Sequence, residues 1–162
     1  MRPRWLIAHD FSPFGDAALL EAARLLKDKP AKIVLAHVVV VPVPAASGFW
    51  EGVSGPVASH MDLRNQALLA SQSRLEAIRD EVLQSHFKDA HDELEIEVQV
   101  IEGDPVDALL ALAHEHDVNR ICVGSHSRKG LDRYLLGSVA EKVVRQAQVP
   151  VLVVKRPESS DS

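Results

Sequence analysis

Residues 124–138, GSHSRKGLDRYLLGS, contain a Gly-Ser pair at each end of a polar stretch. Gly124 follows the apolar run RICV, and a glycine at the end of a strand lets a ligand approach the backbone closely because it has no Cβ. The second pair, Gly137 and Ser138, precedes a helical pattern, and the free N–H groups at a helix start suit phosphate. The spacing therefore predicts a phosphate-holding loop between a strand and a helix.

Two basic side chains, Arg128 and Lys129, lie between these pairs and can neutralise outer phosphate groups. The better-known phosphate motifs are missing, since the chain has neither GxxxxGK followed by Ser or Thr nor GxGxxG. A P-loop ATPase or a dinucleotide dehydrogenase is therefore not supported.

Apolar patterns along the chain alternate between strands and helices. Short apolar runs predict strands over 4–10, 32–40, 94–100, 120–124 and 149–155. Helical patterns predict helices from Ser12 to about Lys27 and over 59–86, 104–116 and 138–147. The pairs Ser12-Pro13 and Asp104-Pro105 have the residue types of a helix cap and a first turn. The proline- and glycine-rich segment 41–56 predicts one long loop.

This alternation predicts an α/β fold with one domain over residues 1–156 and a disordered tail over 157–162. We expect an open, five-stranded parallel sheet, flavodoxin-like or Rossmann-like, in the order 3-2-1-4-5 with helices on both faces. In that order the winding reverses between the first and fourth strands, and ligands bind there at the carboxyl ends. Asp10 should then lie beside Gly124, where its carboxylate can accept from ribose hydroxyls or a metal-bound water.

Each of these residues also has a purely structural interpretation. Gly124 can simply end a strand, and Gly137 and Ser138 can form an ordinary helix start. The two basic residues can be solvated, and Asp10 can cap the following helix. The prediction of a ligand site depends on all of these residues lying together at one edge of the sheet.

The composition of the chain argues against several classes of protein. The 162 residues carry a net charge of −5, which gives no global basic field for nucleic acid. The single cysteine, Cys122, cannot form an internal disulfide and lies in an apolar run, so we expect it in the core. No run approaches the roughly 18 apolar residues of a membrane span, and the N-terminal segment is too short for a signal peptide. These features predict a cytoplasmic protein without a membrane or nucleic-acid partner.

The chain resembles the universal stress protein family over nearly its whole length. The resemblance is carried by LIAHDFSPFGDAAL, by KIVLAHVV and by the long stretch from EGDPVDALLALAHEHDVNRICVG to VPVLVVK. ATP-binding members carry Gly, two residues, Gly, nine residues, and Gly with Ser or Thr. The corresponding positions here are Gly124, Ser127, Gly137 and Ser138, so three of the four agree and the spacing is intact.

The resemblance implies an ATP-binding stress-response regulator, with Mg²⁺ accompanying the nucleotide. It implies a homodimer formed through the last strand, Val149–Lys155. It also allows a regulatory protein partner, which the resemblance does not identify. Adenosine would lie against the end of the first strand, with Val38 beside the base, and the triphosphate would follow the glycine-framed loop. The implied binding residues are Ala8, His9, Asp10, Val38, Gly124, Ser125, His126, Ser127, Arg128, Lys129, Gly130, Gly137, Ser138, Val139 and Ala140.

The chain departs from the family motif at Ser127. If the family glycine supplies a positive φ, serine costs on the order of 1 kcal/mol, and if it allows close phosphate approach, the Cβ intrudes. Serine is small and its hydroxyl can donate, so we expect ATP binding to be weakened rather than lost. No positioned catalytic base is evident, so no catalytic residue is assigned and any ATP hydrolysis is expected to be slow.

A nucleotide-free family member, acting as a dimeric scaffold for protein partners, is the main alternative. A zinc site formed by His9, His37 and His126 is a second alternative, because all three are expected near the carboxyl edge of the sheet.

A receiver-type phosphoacceptor is a third alternative. It would use Asp10, an acid at Glu102 or Asp104, Ser125 and Lys155. Only one acid follows the first strand, and Asp104 is better explained as a helix cap.

Overall fold

The computed structural model describes residues 2–27, 29–40, 57–87, 94–126 and 136–155. These residues form five strands and four helices in the predicted alternation. In chain order they are β1 (Arg4–Ala8), α1 (Pro13–Leu26), β2 (Ala31–Val39), α2 (Val57–His86), β3 (Leu94–Glu102), α3 (Pro105–Glu115), β4 (Arg120–Gly124), α4 (Ser138–Gln146) and β5 (Val151–Val154). The predicted loop 41–56 and the predicted tail 157–162 lie outside the described residues, so the domain extent of 1–156 stays a prediction.

The five strands form one parallel sheet in the order β3-β2-β1-β4-β5, which confirms the predicted topology. Ile7 of β1 lies opposite Leu35 of β2 and Cys122 of β4, and all three are fully buried. The order is of the Rossmann type and differs from the 2-1-3-4-5 order of flavodoxin and receiver domains. The receiver alternative is therefore wrong.

Helices cover both faces of the sheet because its central strands are apolar on both sides. α1 and α2 pack on one face through side chains such as Leu19, Leu26 and Leu75, and α3 and α4 pack on the other. Cys122 has no exposed surface, as predicted, and burial raises the pKa of its thiol to about 12. None of the described helices has the length and hydrophobicity needed to cross a bilayer.

Three helix starts differ in how their first N–H groups are satisfied. Ser12 caps α1, and its Oγ accepts from two first-turn N–H groups at 3.3 and 3.4 Å. Asp104 caps α3, and its Oδ1 accepts from two first-turn N–H groups at 2.9 and 3.1 Å. Both caps confirm the sequence prediction. α4 begins after Gly137, which has no side chain and provides no such cap.

Candidate functional site

A pocket of about 220 Å³ opens where the carboxyl ends of β1 and β4 meet, at the predicted reversal of winding. Of the predicted binding residues that the structure describes, all except Ser125 line it. These are Ala8, His9, Asp10, Val38, Gly124, His126, Gly137, Ser138, Val139 and Ala140. The predicted residues Ser127, Arg128, Lys129 and Gly130 lie outside the described residues. The sheet therefore brings Asp10 and the two ends of the glycine-framed loop into one pocket, although they are far apart in sequence.

The sequence prediction missed part of the apolar wall. The additional lining residues are Ala36, His37, Val40, Pro105, Leu109 and Val123. A usable signal was present, because alternate residues of a strand share one face and a helix repeats a face every four residues. Ala36, Val38 and Val40 follow the first rule, and Pro105 and Leu109 follow the second.

The start of α4 presents uncommitted donors to the pocket. Gly137 donates its own N–H to the Ser125 carbonyl at 2.7 Å, and the Gly137 carbonyl accepts from Glu141 at 2.9 Å. Among the described residues, the N–H groups of Ser138, Val139 and Ala140 have no acceptor. Three N–H groups at the positive end of a helix form a site for an anion.

Gly137 allows this helix start to lie close to the end of β4. A Cβ at this position would lie 3.2 Å from the Ser125 carbonyl oxygen and 3.3 Å from the His126 Cα. These contacts are tighter than most Cβ contacts, so a side chain here would require a small shift between the start of α4 and the end of β4. Gly137 thus holds the three N–H donors at the pocket.

Gly124 lines the pocket, and the structure gives a reason for this glycine that the sequence analysis did not include. A Cβ on Gly124 would lie 2.7 Å from the Phe14 Cβ and 2.8 Å from the Phe14 carbonyl carbon and oxygen. The space is taken by the first turn of α1, so packing within the protein by itself requires a glycine here. The approach of a ligand to its backbone stays a prediction.

Asp10 lines the pocket and also supports the neighbouring helix cap. Its Oδ1 accepts from the Ser12 backbone N–H at 3.1 Å and from the Ser12 hydroxyl at 2.5 Å. Ser12, not Asp10, is the cap residue of α1. Both bonds use Oδ1, and Oδ2 has no hydrogen-bond partner in the described part of the chain, so it remains available to a donor.

His9 is buried, with 2% of its surface exposed, and has a partner on each ring nitrogen. Its Nδ1 accepts from the Phe11 N–H at 3.1 Å, and its Nε2 lies 3.0 Å from Asp16 Oδ1. Burial lowers the pKa of His9 below its usual value, although the nearby Asp16 carboxylate partly opposes this. His9 therefore lines the pocket as a neutral ring that organises the β1–α1 turn.

The same turn contains a strained residue. Phe11 has φ 58°, in the left-handed region that costs a non-glycine residue about 1–2 kcal/mol. Its ring lies 4.2 Å from the His37 ring and 4.3 Å from the Arg74 guanidinium carbon. His37 donates from Nδ1 to the His9 carbonyl at 2.7 Å. These contacts hold the turn in the conformation that presents Asp10.

The three-histidine zinc site is not supported. His9 uses Nδ1 within the turn and Nε2 with Asp16 of α1, and His126 pairs its Nδ1 with the buried Ser125 hydroxyl at 2.9 Å. Over the described ranges, no three His, Cys, Asp or Glu side chains are grouped so that they can hold a metal ion.

Comparison with known proteins gives consistent matches over most of the chain. A model of the Universal stress protein family matches residues 1–155. Universal stress protein MJ0577 of Methanocaldococcus jannaschii is 28% identical over 166 residues, covering 98% of this chain and 98% of the relative. Universal stress protein YxiE of Bacillus subtilis is 30% identical over 152 residues, covering 94% of this chain and 98% of the relative.

Solved structures share the fold. The structure of MJ0577 superposes with a TM-score of 0.77 at 26% identity, covering 98% of this chain and 99% of that one. A universal stress protein in complex with cAMP gives a TM-score of 0.56 at 23% identity, covering 96% and 98%, and so supports the fold alone. The family match spans every described residue. The chain therefore belongs to the universal stress protein family.

Proposed function

We propose that this pocket binds an adenine nucleotide, with ATP as the expected ligand, and that the protein uses the bound nucleotide in a cytoplasmic stress-response role. One observation carries the proposal. Of the three helix starts whose caps the structure describes, the one that faces the pocket has no side-chain cap, whereas α1 and α3 cap their own N–H groups. A phosphate group is an acceptor of the right charge for donors left open in this way.

The volume of the pocket indicates that the nucleotide occupies two regions, the pocket itself and its mouth. At about 220 Å³ the described pocket lies below the roughly 300–1,000 Å³ of sites that enclose drug-sized ligands. The apolar wall, which includes Val38, Leu109 and Val123, suits a base. Asp10 Oδ2 then serves as an acceptor for ribose hydroxyls. The phosphates extend along the mouth towards the three N–H groups of α4.

Mg²⁺ is expected to accompany the phosphates. Within the described residues there is no cluster of acidic or histidine side chains able to hold it. Magnesium commonly keeps several waters and is shared with nucleotide phosphates, so the protein need not supply a dedicated cage. We assign no residue of this chain as a metal ligand.

Calorimetry on protein stripped of nucleotide tests the proposal, using ATP with Mg²⁺ and cAMP as a competitor. The informative variant is Ser138→Pro. Proline is tolerated at a first helical position, and Gly137 already has the extended ψ of 146° that a residue before proline requires. The variant removes the backbone N–H and the hydroxyl of Ser138 while α4 is retained. The matched control, Ser138→Ala, keeps the N–H and removes the hydroxyl.

Loss of a hydrogen bond to a charged group, worth about 1.5–3 kcal/mol, should weaken ATP binding by about 10- to 100-fold in Ser138→Pro. Ser138→Ala should lose less, because it removes the hydroxyl alone and keeps the backbone N–H that proline also removes. Absence of heat and of a thermal shift at millimolar ATP would refute the proposal. Equal affinity in Ser138→Pro and wild type would place the phosphates elsewhere.

The nucleotide-free scaffold stays a second candidate because of one specific observation, the serine in place of a motif glycine. Ser127 lies outside the described residues. Ser127→Gly separates the two candidates. Tighter ATP binding would identify the serine as a residue that weakens a working site. If neither form binds ATP, the scaffold is favoured.

We also propose a homodimer formed through the last strand, Val149–Lys155. Within the described residues, β5 pairs with β4 only, which leaves its outer edge without a strand. All four residues of β5 are half-buried and apolar, and an apolar edge of this kind favours pairing with another chain. Light scattering should give the mass of a dimer for wild type and of a monomer for Val153→Lys. A monomeric wild type at high micromolar concentration would refute this interface.

A further inference from the structure

The partners of His9 assign its tautomer. A backbone N–H can only donate, so the Phe11 N–H requires a lone pair on His9 Nδ1. The proton of the neutral ring is then on Nε2, where it donates to the Asp16 carboxylate. In this state both ring nitrogens are satisfied, and the ring connects the β1–α1 turn to α1.

A second proton does not fit this arrangement. It would have to occupy Nδ1 and face the Phe11 N–H across 3.1 Å, so that two donors oppose each other. The ring has little room to turn away, because it is buried with 2% of its surface exposed. Protonation of His9 therefore requires the turn between β1 and α1 to open.

The turn that opens is the one that presents Asp10. Asp10 lies between His9 and Phe11, and its Oδ1 bonds to Ser12 depend on the same backbone path. Phe11 holds a left-handed φ of 58° within this turn, so loss of its N–H acceptor also removes one support of that conformation.

We propose that His9 is a positioning residue that makes nucleotide binding sensitive to acid: its neutral ring holds Asp10 in place, and its protonation releases Asp10 from the pocket. The inference rests on the proposed nucleotide site. Because the neutral ring favours binding, bound nucleotide in turn opposes protonation of His9, as linkage demands.

Charged and titratable groups face His9 from three elements. Asp16 of α1 and Asp10 of the turn favour the protonated ring, whereas His37 of β2 disfavours it. Burial has the largest effect and lowers the pKa of His9 overall. The ring is therefore neutral at neutral pH, and burial places its acid transition below the usual pKa of a histidine.

The experiment measures nucleotide affinity between about pH 7.5 and about pH 5, because histidines change charge within this interval. It compares wild type with the variants His9→Asn and Asp16→Asn. Below the transition, wild-type affinity should fall by up to tenfold per pH unit and then level off, since the protonated form loses the Asp10 contact but keeps the others. In His9→Asn the amide oxygen can still accept from Phe11 but cannot be protonated. This variant should bind a few-fold more weakly at neutral pH and lack the steep decline. Protonation of the phosphates is common to all three proteins and cancels in the comparison.

Asp16→Asn provides an independent variant. It keeps an acceptor for Nε2 but removes the negative charge that favours the protonated ring. The acid transition should therefore move to lower pH. In the ligand-free protein, NMR of the imidazole nitrogens should show the Nε2–H tautomer at neutral pH, which does not depend on nucleotide binding.

The outcomes separate the two proposals. Absence of binding at neutral pH in every protein would refute the nucleotide site, and the acid coupling with it. Binding that declines equally in wild type and His9→Asn would refute the coupling alone. An Nδ1–H tautomer, or a charged ring at neutral pH, would contradict the hydrogen-bond assignment on which the coupling depends.

Discussion

Replacement of Gly124 by alanine tests whether this glycine serves packing or ligand approach. The added Cβ would lie 2.7–2.8 Å from three Phe14 atoms, and two of these belong to the backbone of the first turn of α1. Backbone atoms cannot rotate out of the way, so we take the upper end of the 1–3 kcal/mol range for overpacking. The reduced entropy of the unfolded chain returns about 0.4–1 kcal/mol. The net loss of stability is about 2 kcal/mol.

Thermal unfolding without nucleotide provides the assay. For a domain of this size, about 2 kcal/mol corresponds to a decrease in Tm of about 4–8 °C. Gly137→Ala is the matched control, because its Cβ meets atoms no closer than 3.2 Å and should cost less. An unchanged or higher Tm for Gly124→Ala, combined with lost nucleotide binding, would refute the packing explanation and restore ligand approach as the reason for the glycine.

Three further outcomes follow from side chains outside the pocket. Asp104→Ala removes the cap of α3 and should cost about 1 kcal/mol in the free energy of unfolding, measured by urea denaturation, and an unchanged midpoint would show that the cap is dispensable. The hydrogen bond from Lys32 lowers the pKa of Glu97, so its stabilisation should be complete above about pH 5 and fade as the pH falls through the lowered value. The side chains of Lys32 and Glu97 are partly exposed, so their ion pair should contribute under about 1 kcal/mol. Glu97→Gln should therefore lose less stability on acidification than wild type, by up to that amount, and an identical pH profile would contradict the ion pair. Cys122 should resist thiol reagents at about pH 8 until the protein unfolds, because it is buried and its thiol has a pKa of about 12; rapid labelling of the native protein would contradict this.

The pocket residues differ in how far sequence could predict them. Gly137 and Ser138 are recognisable because a glycine followed by a helical pattern marks a helix start. To predict that Asp10 lies beside the loop, the strand order had to be assumed. The alternation of strands and helices made the order 3-2-1-4-5 the expected one, and the structure confirmed it. Leu109 repeats the helix face of Pro105, but that spacing does not by itself show whether the face meets a core or a pocket, so Leu109 was missed.

The sequence by itself determined the elements and their type, because capping residues and the period of apolar residues act locally. Ser12 and Asp104 cap the helices that they precede, and the apolar runs form a parallel sheet covered on both faces. Only the tertiary structure decided what occupies the space beside Gly124 and which tautomer His9 adopts. Both depend on atoms brought together by packing, since Phe14 and Asp16 reach these positions only when α1 folds back against the sheet.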